Sequence, residues 1–167
     1  LNKDDKLLTK DELISNSSEC DGILSSLTEK FDADIISKLS KKVKIISNFA
    51  VGFGNIDLDA AKKRNIIVTN TPDVLTDATA EIAILVLLGA ARRAKEGMEW
   101  VKRENWKWSV DFLMGKQLTG SRLGILGMGR IGRAIADRAR LFGMKIHYYN
   151  RSRLDKNLEK DAIYHKS

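Results

Sequence analysis

Leu123–Arg153 reads L-G-I-L-G-M-G-R-I-G-R-A-I-A-D-R-A-R-L-F-G-M-K-I-H-Y-Y-N-R-S-R. The apolar run Leu123–Leu126 leads into Gly127-x-Gly129-x-x-Gly132. Apolar positions at Ile131, Ile135, Ala139 and Phe142 then keep helical spacing up to Gly143, and Lys145–Tyr149 has the composition of a second strand. Strand, glycine turn, helix and strand in that order form the context in which G-x-G-x-x-G reads as a dinucleotide-binding turn rather than a chance cluster of glycines. Gly127 permits the sharp turn, Gly129 lets the backbone approach a pyrophosphate, and Gly132 lets helix and strand pack closely. The helix start supplies N–H groups and a favourable dipole for the phosphate charge.

The residues after the second strand bear on the choice of dinucleotide. An NAD-type site places a carboxylate about 20 residues beyond the glycines, on the ribose 2′-hydroxyl. This chain has Asn150-Arg151-Ser152-Arg153 there, and the next acid is Asp155. Guanidinium groups pair bidentately with phosphate oxygens. Arg151, Ser152 and Arg153 therefore favour NADP(H) over NAD(H); the plainer alternative is a pair of solvated charges at a strand end.

The whole chain of 167 residues has room for one good-sized domain or two small or partial ones. Its net charge of +7 is spread out, and no basic stretch is interleaved with aromatics as a nucleic-acid groove requires. A single cysteine, Cys20, rules out an internal disulfide and a thiolate metal cluster and suits a reducing, cytoplasmic setting. The longest apolar run, Ile82–Leu88, is too short for a bilayer span. A chain that starts at Leu1 and stops soon after the second strand of a dinucleotide fold is expected to be a piece of a longer protein.

Upstream, Thr9 and Glu12 form a capping box for a helix reaching about Ser17, and Gly22–Ser25 is a short strand. Asp32 or Asp34 caps a helix through Leu39, followed by a strand at Val43–Ser47. Asp57 caps Leu58–Arg64, Asn65 suits the left-handed position beyond it, and Ile66–Thr69 is a third strand. Alternating helices and β-branched runs define an α/β layer with a parallel sheet. After Pro72, Thr76 or Asp77 should cap one long helix to about Arg103, apolar nearly all round between Ile82 and Ala91 and hence deeply buried, between domains or subunits. The boundary is expected between Pro72 and Thr76, giving residues 1–75 and 76–167 as two partial domains. The turn after Val43–Ser47 contains Val51 and Gly52, whose amides could hold an anionic substrate group at the carboxyl end of a strand. Spacing alone leaves an ordinary βα turn equally open.

Asn48-Phe49-Ala50-Val51-Gly52-Phe53-Gly54-Asn55-Ile56-Asp57 resembles a segment of the D-isomer-specific 2-hydroxyacid dehydrogenases, as do Val68–Thr76 and Gly127–Gly132. Ala91-Arg92-Arg93 and Trp106-Lys107-Trp108 are similar to the glyoxylate/hydroxypyruvate reductase branch. The resemblance implies a flavodoxin-like substrate domain followed by the start of a Rossmann domain, both incomplete. It implies NAD(P)H-dependent reduction of a small 2-keto acid, with Val51 and Gly52 on the substrate carboxylate. It implies Gly127, Gly129, Arg130, Ile131 and Gly132 on the pyrophosphate, Arg151, Ser152 and Arg153 on the 2′-phosphate, and Thr79 near the cofactor. A homodimer through the long helix 77–103 and the Trp106–Trp108 segment is also implied, with core packing the expected role of Trp100. The family's catalytic Arg, Glu and His have no match here, since His147, His165, Arg92 and Arg93 fall elsewhere; the chain alone is expected to be inactive, and no metal is called for. Gly54 stands where the family has Asp, which should loosen that turn. The alternative of another class is a non-catalytic dinucleotide-binding or co-repressor-like module.

Overall fold

The computed structural model describes residues 6–105 and 107–167. The chain divides into two compact units, one ending at Val74 and the other starting at Leu75. Each is a three-stranded, all-parallel sheet with helical crossovers.

In the first unit β1 (Gly22–Ser25), β2 (Ile45–Asn48) and β3 (Ile67–Thr69) lie in sequential order, with Leu24 opposite Ser47 and Ser47 opposite Thr69. Helices α1 (Lys10–Asn16), α2 (Ala33–Lys38) and α3 (Leu58–Lys63) send Leu13, Ile35, Ile36 and Ala61 into one core around Ile46. The side chains that alternate away from that core, Leu24 and Ile67, are exposed. Helix starts follow the capping residues: the Thr9–Glu12 box closes in both directions, Asp32 rather than Asp34 accepts from Ile35 N, and Asp57 accepts from Ala60 N. Asn65, at φ 53°, donates to Lys62 O while Ile66 N donates to Ala61 O, a Schellman ending for α3. That bond engages Ile66, so β3 starts one residue later than expected. Similarly, Val43 N closes a turn on Ser40 O, and β2 runs from Ile45 to Asn48 instead of Val43 to Ser47.

The second unit has β4 (Arg122–Leu126), β5 (Lys145–Tyr149) and β6 (Ile163–His165), again in sequential order. Helix α4 (Thr76–Ala91) packs on α6 (Arg130–Leu141), and Ile84, Ala136 and Ala139 share a core with Ile125, Ile146 and Tyr148. Two short helices, α5 (Ala94–Val101) and α7 (Lys156–Glu159), complete the unit.

Two expectations for the long helix are corrected. Its N-cap is Leu75, with no side-chain cap, because Asp77 is instead paired with Arg138 at 2.9 Å. It does not run through to Arg103: Arg93 adopts φ 53° and separates α4 from α5. The cause lies far along the chain, where Lys116 N donates to Ala91 O at 2.7 Å and takes a carbonyl that a continuing helix would use. Gly115 allows this approach, since a Cβ there would sit 2.4 Å from Ala91 O. Within the chain itself the burial of α4 is one-sided. Ala80 and Ile84 are covered, while Ile82, Leu85 and Val86 are 60%, 64% and 63% exposed. Among the described residues no helix is long and apolar enough to cross a membrane.

Candidate functional site

In the second unit the glycine loop joins β4 to α6 at one end of the sheet. Gly127 turns with φ +95° and donates its N–H to Tyr149 O at 2.9 Å. Met128, the next residue, buries its side chain in the core. A Cβ on Gly132 would lie 2.3 Å from Gly127 O, so this position carries the close packing of helix on turn. A Cβ on Gly127 or Gly129 would meet nothing within 4 Å. The loop is therefore tight on its inner side and open on its outer side. Helix α6 starts at Gly129 without a side-chain cap, and its first-turn N–H groups have no intrahelical acceptor. Arg130 is exposed and Ile131 half-buried in that turn. Thr79 is exposed in the first turn of α4.

Past β5, Arg151, Ser152 and Arg153 are all exposed at the surface, but the two arginines differ. Arg153 makes a bidentate pair with Glu159, Nε to Oε2 at 2.7 Å and Nη2 to Oε1 at 2.6 Å. Tyr148 Oη also donates to Glu159 and accepts from Leu154 N. The hydrogen bonds to Arg153 hold the buried Glu159 carboxyl below its ordinary range, and the same contact raises the guanidinium further. Burial is the main force pushing the Tyr148 hydroxyl upward. Arg151 has no such partner among the described residues.

In the first unit the loop after β2 is held by its carbonyls. Thr71 N donates to Ala50 O, Asn70 Nδ2 to Val51 O, and Asn48 Nδ2 to Gly52 O, each at 2.8 Å. Asn48 is fully buried, accepts from Ser25 Oγ at 3.1 Å and faces the Asn55 amide. Asn55 in turn donates to Ser26 O and Glu29 O. With these oxygens engaged, the Val51 and Gly52 N–H groups have no acceptor among the described residues. A pair of adjacent unsatisfied amides can receive a carboxylate. At Gly54, Ile56 N closes a turn on Phe53 O at 3.0 Å.

Several contacts lie outside the sequence reading. Neither Asn48, Asn70 nor Asn150 was identifiable as a shaping residue, because strand register is what brings Ser25 to Asn48, Val51 to Asn70 and Met128 to Asn150. His147 Nδ1 and His165 Nε2 are 2.8 Å apart with stacked rings, a pairing set by the parallel register of β5 and β6. Trp100 does not join either core; it is half-buried, meets the Phe112 ring edge-on at 5.5 Å and lies 4.1 Å beneath the Arg103 guanidinium. Trp108 is 73% exposed, and Trp106 lies outside the described residues. Among the described residues no three His, Cys, Asp or Glu side chains converge as metal ligands would.

The comparisons with known proteins agree with this architecture. Residues 3–161 match the family model for the catalytic domain of D-isomer specific 2-hydroxyacid dehydrogenases. The chain belongs to that family. Glyoxylate reductase of Pyrococcus horikoshii is 42% identical over 90% of this chain and 46% of its own length. Glycerate dehydrogenase of Hyphomicrobium methylovorum is 42% identical over 98% of this chain and 52% of its own. Among solved structures, D-lactate dehydrogenase from Aquifex aeolicus, in complex with NAD and lactic acid, superposes with a TM-score of 0.81 at 29% identity, covering 95% of this chain and 46% of that one. The chain spans about half the length of the curated relatives it matches.

Proposed function

We propose that the protein carrying this chain reduces a small 2-keto acid of the glyoxylate or hydroxypyruvate type to the D-2-hydroxy acid, with NADPH preferred over NADH. The observation that carries this reading is the glycine loop with its open outer side at Gly127 and Gly129 and its packed inner side at Gly132. A bound nicotinamide dinucleotide supplies hydride. The second unit is the cofactor-binding domain: Gly127 makes the turn, Gly129, Arg130, Ile131 and Gly132 hold the pyrophosphate at the start of α6, and Thr79 belongs to the cofactor side of the site. The first is the substrate domain, in which the Val51 and Gly52 amides hold the substrate carboxylate. The similarity to glyoxylate reductase and glycerate dehydrogenase supports this substrate class.

The 2′-phosphate is read chiefly by Arg151 with Ser152, and Arg153 contributes only the donors that Glu159 leaves over. Arg151→Ala in the complete protein should raise the dissociation constant for NADPH by ~10–100-fold, the worth of a charge-assisted phosphate contact, and that for NADH far less. Fluorescence titration with both nucleotides measures this, and equal losses would remove the assignment.

The exposed stripe Ile82, Leu85 and Val86 on α4 fits a homodimer interface, to which the Trp106–Trp108 segment adds. Replacing Leu85 and Val86 together by Glu should shift sedimentation of the complete protein from dimer to monomer; unchanged sedimentation would place the interface elsewhere.

A further inference from the structure

The glycine loop has a second anchor that the spacing of the glycines does not reveal. Met128 N donates to the side-chain Oδ1 of Asn150 at 2.7 Å. Only the oxygen of an amide can accept from a backbone N–H, so this contact also settles which way the Asn150 amide points. Successive N–H groups of the loop, Gly127 and Met128, are thus tied to successive residues at the end of β5, Tyr149 through its carbonyl and Asn150 through its side chain. Asn150 is fixed in turn, since its own carbonyl accepts from Tyr164 Oη at 3.3 Å. It is half-buried and stands where an NAD-type fold carries its ribose-binding carboxylate.

We infer that Asn150 is a positioning and specificity-determining residue: it sets the shape of the glycine loop through Met128 N–H, and its uncharged amide does so without placing a negative charge against a 2′-phosphate. The inference rests on the functional reading above for its cofactor half and on geometry alone for its loop half. A carboxylate at this position would accept the same N–H, because Asp and Asn are nearly isosteric. What it would change is charge. The loop function therefore belongs to the oxygen, and the cofactor preference to the absence of a charge beside it.

Two substitutions in the complete protein separate these roles. Amide hydrogen exchange without nucleotide reads the loop, and titration with NADPH and NADH reads the site. In Asn150→Ala the Met128 amide should exchange at least ~10-fold faster, and both nucleotides should bind about 5–10-fold more weakly, the worth of one hydrogen bond that shapes the site. In Asn150→Asp the Met128 protection should return and NADH should bind at least as well as to the wild type. NADPH should then be weaker by ~10–100-fold, as expected for like charges brought together. Unchanged Met128 exchange in Asn150→Ala would overturn the positioning role. Equal losses of NADPH and NADH in Asn150→Asp would overturn the specificity role. A wild-type protein that binds neither nucleotide would overturn the functional reading and the specificity role together, while the exchange measurement would still decide the positioning role.

Discussion

Gly132→Val should lower the Tm of the complete protein by roughly 10 °C or more, whereas Gly129→Val, three residues earlier in the same motif, should leave folding nearly intact and weaken cofactor binding. The contrast follows from what a side chain would meet. At Gly132 the first added carbon would lie 2.3 Å from Gly127 O, 3.2 Å from Gly127 C and 3.3 Å from Ile125 Cγ2. Two of those atoms are backbone, so the turn or the helix must move. Overpacking of this kind costs about 1–3 kcal/mol or more, and each kcal/mol lowers Tm by roughly 4–8 °C in a domain of 60–100 residues. Around Gly129 there is nothing within 4 Å, and its φ of −73° is open to any residue. Its valine variant should lose only the small difference in N-cap preference, roughly 1 kcal/mol or less. The added methyls would instead occupy the space where a pyrophosphate must approach the backbone. Thermal melts and nucleotide titration on the two variants test the assignment. Normal NADPH affinity in Gly129→Val would remove the glycine loop from the cofactor site.

The two positions also show what kind of information a sequence carries. Where structure is set by neighbours along the chain, it was legible: the strand, turn and helix around Gly127–Gly132, the caps at Thr9, Asp32 and Asp57, and the left-handed Asn65 all depend on contacts within a few residues. The break at Arg93 was not legible, because Ala91-Arg92-Arg93-Ala94-Lys95-Glu96 is made of good helix formers and the group that interrupts it is Lys116 N–H. Which side of α4 is covered within its own unit was not legible for a related reason. Hydrophobicity on all sides says that a helix can be covered all round, and which side this chain covers depends on where α6 packs. In the candidate site, Val51 and Gly52 could be singled out by resemblance, but the three asparagines that shape the loops could not. Asn48, Asn70 and Asn150 have the composition of ordinary turn residues, and strand register is what brings Ser25 to Asn48, Val51 O to Asn70 and Met128 N–H to Asn150. Arg153 had the right residue type at the right spacing, and a glutamate on α7 takes much of its donor capacity.

The second large effect is expected in the first unit, at Asn48. Its side chain is 1% exposed and bridges Ser25 on β1, Gly52 in the loop after β2 and Asn55 beyond it. Asn48→Leu keeps much of the volume but leaves the Ser25 hydroxyl and the Gly52 carbonyl without partners. The Ser25 hydroxyl is buried, and a buried polar group left unsatisfied costs about 1–3 kcal/mol, whereas water can reach the exposed Gly52. The variant should therefore be destabilised by about 1–3 kcal/mol, and the Val51 and Gly52 amides should lose their fixed direction. Gly52→Val provides the comparison, because a Cβ there would meet nothing within 4 Å and the backbone needs no special conformation. Its Tm should stay near that of the wild type, while the added side chain crowds the space a carboxylate would use. Lost ground-state and transition-state binding of this uniform kind raises KM with little change in kcat. For Gly52→Val, a KM for glyoxylate or hydroxypyruvate raised by ~10-fold or more, the worth of one charge-assisted hydrogen bond or greater, is the expected result. An unchanged KM would mean that the two amides face some other anion or none, and the stability loss in Asn48→Leu would then report only the packing of β1, β2 and their loop.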